Sequence, residues 1–277
     1  MTDAPVVQLN LSAELSNAHR DLNSTLHRLA AFAAVGDRLG KLPRDLDLPA
    51  PDILIRFGHQ GSEGEYREEP PEVRDNFAEY CARFSVVGMV TACEEFLHRV
   101  LFTASIGAAS HEHNGRLTGP EFNEMREGIR KEVRRSSVDG LALAALRRLN
   151  LEESVVPQIS YFRSVHGIRK CLLHRGGIVR EDDVDEEGFL RAVWCRPVFL
   201  LGDEEIKSFP LLGKDGDTIS FRFDETARSW RLGDHVKLTA RDCQDIAWTL
   251  SAFAQQTIQA CSQALVALAG GKANGEP

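Results

Sequence analysis

Between residues 11 and 40, leucine and alanine return every three or four positions, at Leu11, Leu15, Ala18, Leu22, Leu26, Leu29 and Ala33. At that spacing the side chains share one face of an α-helix. The stripe is narrow, and Arg20, Asp21, Arg28 and Asp37 fall on its polar side. A seam of this width either packs on the rest of the chain or pairs with a second copy; packing is the expectation here. Pro43, Pro49 and Pro51 then break the pattern, and residues 61–72, GSEGEYREEPPE, read as an acidic, proline-bounded linker. A longer helical pattern runs over 73–104 through Phe77, Tyr80, Cys81, Phe84, Val87, Thr91, Leu97, Val100 and Leu101. Pro120 suits the first turn of another helix that ends near Arg135. Residues 137–150 supply a short helix with Asp139 near its start and Arg147 and Arg148 in its last turn, matching the helix dipole.

The next helix is predicted over 153–173, closed by Gly176 and Gly177. Residues 178–236 change character. FLRAVWCRPVFL, IKSFPLL and TISFRF alternate apolar with polar positions, and Lys214 to Gly216 form a turn, so two or more antiparallel strands are expected. Thr239 and Asp242 have the spacing of a capping box. They open a last helix through Ile246, Leu250, Phe253, Ile258, Cys261, Leu265 and Leu268. The expected fold is mainly α, a helical bundle with a β-hairpin or small antiparallel sheet inserted before the last helix. Its expected division is an N-terminal helix and linker over 1–70, a helical domain over 71–268 with the insertion at 178–236, and a disordered tail over 269–277. The strands are expected as an elaboration outside the core.

The chain has 277 residues, 43% apolar and 27% charged, the proportions of an ordinary soluble protein. No apolar run reaches the roughly 18 residues of a membrane span, and the N-terminus has no basic stretch leading into an apolar core. Six cysteines are scattered without a CxxC pair, which suits reduced thiols in the cytoplasm. The net charge of −8 speaks against a protein that coats nucleic acid, although a local basic cleft remains compatible with it. Arg126, Arg130, Lys131, Arg134 and Arg135 concentrate on one helix; they read first as a solvated face and second as a phosphate-positioning surface.

Chemistry concentrates in the helix YFRSVHGIRKCLLH. At about 100° per residue, with Arg169 at zero, His166 falls near 60°, Lys170 near 100°, Arg163 near 120° and His174 near 140°. Tyr161, Val165, Ile168 and Leu172 gather at roughly 260–320°. One face therefore buries, and the other collects five cationic or potentially cationic groups that lack evident anionic partners in the local sequence. A guanidinium that stays charged beside an imidazole that titrates near neutrality suits a phosphodiester. The same two residues could instead simply complement the helix C-terminus.

The string Arg169-Lys-Cys-Leu-Leu-His174, followed by Arg175-Gly-Gly-Ile-Val179, resembles the signature of the HEPN superfamily of all-α proteins. That signature is an arginine, four to six residues and a histidine near the end of a long helix, often followed by a turn and an extended stretch. The resemblance spans 72–268. Where the family commonly has Asn, Asp or a small polar residue after the arginine, this chain has Lys170. It implies a metal-independent endoribonuclease, possible as a toxin or defence effector with an antitoxin or other defence-system partner. Arg169 and His174 would be catalytic, and Lys170, His166, Arg163 and Arg175 would contact RNA. It further implies a homodimer whose two motifs share one cleft, the site helix lying in the interface. The alternative it leaves is a non-catalytic, dimeric HEPN-like binding module.

Other chemistry is sparse. His111 and His113 alternate in a segment that reads as a glycine-rich loop, without a third ligand nearby, so no metal is assigned. The acidic run over 181–187 lacks the spacing of a calcium loop and reads as a solvated turn. No GxxxxGK[ST], GxGxxG or GxSxG string is present, which leaves no nucleotide cofactor and no hydrolase elbow.

Overall fold

The computed structural model describes residues 10–41, 70–113, 117–202, 204–206 and 219–270. The fold is mainly helical, with a small antiparallel sheet before the last helix. In chain order the elements are α1 (Leu11–Gly40), α2 (Pro70–Glu112), α3 (Gly119–Arg135), α4 (Val138–Arg148), α5 (Ile159–His174), β1 (Phe189–Leu201), β2 (Glu204–Glu205), β3 (Ile219–Arg231) and α6 (Ala240–Gly270). The linker up to residue 69, the turn Lys214 to Gly216 and the tail beyond Gly270 lie outside the described residues, while residues 70–72, expected as linker, open α2.

Helix α1 starts where Asn10 Oδ1 accepts the Ala13 amide at 3.0 Å, relieving one of the unpaired donors at a helix start. It packs against α2 and α6. Its seam buries Leu15, Ala18, Leu22, Leu26 and Ala33. At about 1.5–3 kcal/mol for each buried leucine, three leucines decide the choice left open by the sequence. This stripe is consumed by its own chain and is not free for a second copy. Gly36 lies tight against α2, where an added Cβ would lie 2.5 Å from Cys81 Cβ. Gly36→Ala is therefore expected to destabilise the fold in urea titrations. Overpacking against a backbone-borne Cβ costs about 1–3 kcal/mol, which offsets the roughly 0.8–1.0 kcal/mol that alanine contributes to helix propensity. A more stable variant would show that α1 can back away freely.

Helix α2 runs past the expected end at residue 104, so His111 lies in its last turn and not in a loop. Helix α5, by contrast, starts later than expected. Residues Glu153–Val155 form one 3-10 turn, and Pro157 separates it from the helix. Proline lacks an amide hydrogen and disfavours helical geometry in the residue before it; Val156 accordingly sits at φ −130° and ψ 70°. At α6, Thr239 N donates to Asp242 Oδ2 at 2.9 Å and Asp242 N donates to Thr239 Oγ1 at 3.1 Å, the reciprocal pair of a capping box.

The sheet order is β2-β1-β3, and β1 pairs with β3 along its whole length, from Phe189 opposite Arg231 to Leu201 opposite Ile219. Strand β1 is not an elaboration. It packs between α5 and α6, and Leu190, Ala192 and Trp194 belong to the same hydrophobic core as the helices. Strand β3 stands outside, exposed over most of its length, as does the two-residue β2. An alternating sequence marks a strand but cannot tell which strand of a pair the helices will cover.

Candidate functional site

Helix α5 positions the residues singled out above. Its buried arc is wider than a single stripe and takes in Phe162 and Cys171 with Val165, Ile168 and Leu172. Two neighbours cause this. Phe162 stacks on Phe253 of α6, with ring centroids 4.6 Å apart and planes 2° from parallel. On the sheet side, Ser164 Oγ accepts the Val193 amide of β1. Tyr161, expected on the buried face, is partly exposed and donates its hydroxyl to Glu225 of β3. That bond raises the phenol pKa well above its ordinary value.

The polar arc has anionic partners after all, brought by other elements. Arg163 is shared between Asp139 of α4, Nε to Oδ2 at 3.0 Å, and Glu153, Nη1 to Oε1 at 2.5 Å. Arg175, the C-cap, pairs with Asp182 at 3.2 Å and with Asp183. The Asp183 side chain is only 2% exposed, so the acidic run over 181–187 is not simply a solvated turn. Arg169 meets Glu94 of α2 at 3.6 Å, and its Nε is buried without a hydrogen-bond partner among the described residues. Lys170 and His174 are exposed and neither makes a hydrogen bond or ion pair among the described residues. The six candidates thus divide into two held by carboxylates at both sides, one held loosely, two free, and His166.

His166 is half-buried against Phe162, with ring centroids 6.5 Å apart. Burial, and then the charge of Arg169, lower its pKa from the ordinary 6.5, against the opposing pull of Asp139 and Glu94. It is therefore mostly neutral at pH 7 and adds little positive charge to the face. Because the folded state prefers the neutral ring, its contribution to stability is complete above pH 6.5. That contribution is lost as the pH falls through the depressed folded value. Replacement His166→Asn should flatten the fall in unfolding free energy between about pH 7 and pH 5. A variant with the wild-type slope would place the titration elsewhere; His19, also lowered by burial, has the same sign.

The helix ends in a glycine turn. Arg175 N and Gly177 N both donate to Cys171 O, at 3.1 and 3.2 Å, and Gly176 and Gly177 take φ of 64° and 85°, a left-handed backbone that favours glycine. The Arg83 guanidinium of α2 lies over Gly177, 3.2 Å from where a Cβ would stand. Arg83 is a further cation at this end of α5 that a reading of α5 alone misses, because it is 94 residues from Gly177 in sequence.

The other constellations stay ordinary. His113 Nδ1 pairs with Glu121 at 3.2 Å, and among the described residues no group of three or more His, Cys, Asp or Glu side chains could share a metal. On α3 and α4, Arg130 pairs with Glu127 at 2.6 Å and Arg148 with Glu132 at 2.8 Å, as befits a solvated face. No described helix is long and apolar enough to cross a membrane. Comparison of the chain with known family models, with curated proteins and with solved structures found no match.

Proposed function

We propose that the protein is a metal-independent endoribonuclease of the HEPN kind, acting in the cytoplasm, with Arg169 and His174 as its catalytic residues. The observation that supports this reading is the free, exposed His174 at the end of α5, five positions from an arginine held by a single carboxylate at 3.6 Å. An imidazole with no competing partner among the described residues is available to accept a proton, and the guanidinium, 18% exposed with its Nε buried, offers its terminal nitrogens to a phosphate. The ribose 2′-hydroxyl gives its proton to His174 and its oxygen bonds to phosphorus. The bond from phosphorus to the 5′-oxygen breaks, and that oxygen takes a proton from solvent. Arg169 stabilises the charge on the five-coordinate phosphorus, and Lys170 contacts a flanking phosphate. Arg163 and Arg175 support the fold of the site through their carboxylates. A substrate carrying 2′-deoxyribose at the scissile position should be inert, because the nucleophile is missing; its cleavage would remove this chemistry.

One observation favours a non-catalytic binding module as the second reading. Lys170, exposed directly after Arg169, stands where the family commonly has Asn, Asp or a small polar residue. Retention of RNA without cleavage by the wild-type chain would favour this reading.

A further inference from the structure

The two long edges of the sheet differ. The outer edge of β1 is closed by side chains and by β2. Cys195 N donates to Thr249 Oγ1 at 2.9 Å, and that hydroxyl has both Asp245 O, at 2.9 Å, and Cys195 O, at 3.1 Å, as acceptors for its single hydrogen. Ser164 Oγ takes the Val193 amide, and β2 pairs with Leu200 and Leu201. Among the described residues the outer edge of β3 has no such cover. Strand β3 is 13 residues long and pairs only with β1. Between Ile219 and Trp230 its outward backbone groups have no hydrogen-bond partner among the described residues. Ile219, Phe221 and Phe223 are 53%, 64% and 41% exposed on one face of that strand. A long unpaired edge flanked by exposed apolar side chains is a template for another strand.

We propose that this edge pairs antiparallel with the same edge of a second copy, about a two-fold axis at Phe223, joining the two sheets into one. This goes beyond the functional reading above and does not rest on it. The charges on β3 argue for the occupant. A two-fold axis normal to a sheet keeps each side chain on its own face, so one residue must stand opposite itself. An axis at Arg222, Asp224 or Glu225 sets like charges directly opposite, which is destabilising. With the axis at Phe223, Phe223 faces itself and Arg222 faces the partner's Asp224, twice by symmetry. Within one chain Arg222 and Asp224 already form an ion pair at 2.8 Å, so the exchange keeps both charges matched. An axis at Thr226 would also match charges by setting Arg228 against Asp224. Arg228, however, is already held by Asp242 at 3.1 Å, and that carboxylate side chain is only 4% exposed. Pulling Arg228 away would leave a buried charge unpaired. Of the axes that set opposite charges face to face without like charges opposed, Phe223 is the one that leaves the Arg228–Asp242 pair intact.

Sedimentation of the full chain should show a dimer at concentrations on the order of 10 µM. Either reversal alone, Arg222→Asp or Asp224→Arg, should weaken it about tenfold or more, and the double reversal should restore it, because the cross-strand pairs re-form. Phe223→Cys should cross-link between copies on mild oxidation or with a short bismaleimide, and Thr226→Cys should not. The six native cysteines are all buried, and the wild-type chain serves as the control. A monomer at that concentration overturns the proposal. So does a dimer indifferent to both reversals and free of the Phe223→Cys cross-link, or one that cross-links through Thr226→Cys. Circular dichroism of each variant separates lost pairing from lost fold.

Discussion

His174→Ala is expected to lower the rate of RNA cleavage by about 10²–10⁴, the usual worth of a positioned acid or base, with the helical circular dichroism unchanged. The separation of the two effects follows from where the side chain is. His174 is exposed and unpartnered among the described residues, so its removal leaves no cavity and no orphaned group. Arg169→Ala should cost a similar factor through lost stabilisation of the phosphorane. It differs in one respect, because Glu94 loses its cation; Arg169→Lys keeps that charge but not the planar fork, and should remain far below wild type if two donors on one phosphate matter. Replacing Arg163 gives the contrast. Its guanidinium is occupied by Asp139 and Glu153, so Arg163→Ala should act on stability more than on the chemical step. Equal loss of cleavage at Arg163 and His174 would mean that the face acts as a charge patch, without a division of roles.

Phe162→Ala should destabilise the fold by about 3–5 kcal/mol, the range for truncating a buried aromatic ring. Phe162 is fully buried and stacked on Phe253, and it joins α5 to α6. Against a total stability of about 5–15 kcal/mol for a typical domain, that is a large share. The urea midpoint should fall with little change in slope. A loss below about 1 kcal/mol would show that α5 is held chiefly by β1 and α2.

These two residues mark what the sequence makes legible. The seam of α1, the capping box at Thr239 and Asp242, the glycine stop at Gly176 and the gathering of charge on one arc of α5 are local patterns. Local patterns carry the period of the element that contains them. Phe162 interrupts the polar arc in any one-sided reading, yet it is buried because α5 is covered from two directions. The carboxylates that answer the arc are distant in sequence. Glu94 comes from α2 and Asp139 from α4, and no spacing rule brings them to Arg169 and Arg163. Asp139 and Glu153 occupy Arg163, and burial keeps His166 mostly neutral, so five candidate cations reduce to a loosely held arginine and two groups without partners among the described residues, Lys170 and His174. These carboxylates supply, within one copy, the anionic partners that the local sequence around α5 lacks. The partner surface proposed above lies on β3, whose alternation is readable but whose outer edge, bare among the described residues, depends on which strand the helices cover. The end of α5 is similar: its turn could be read from two glycines, whereas Arg83 over that turn could not.

The most direct measurement is the end group left on single-stranded RNA after incubation with the wild-type chain in excess chelator. Transfer through Arg169 and His174 should continue without divalent metal and leave 2′,3′-cyclic phosphate on one fragment and a 5′-hydroxyl on the other. Intact RNA across diverse sequences, cleavage that stops when chelator is added, or products ending in 3′-hydroxyl and 5′-phosphate would each contradict it.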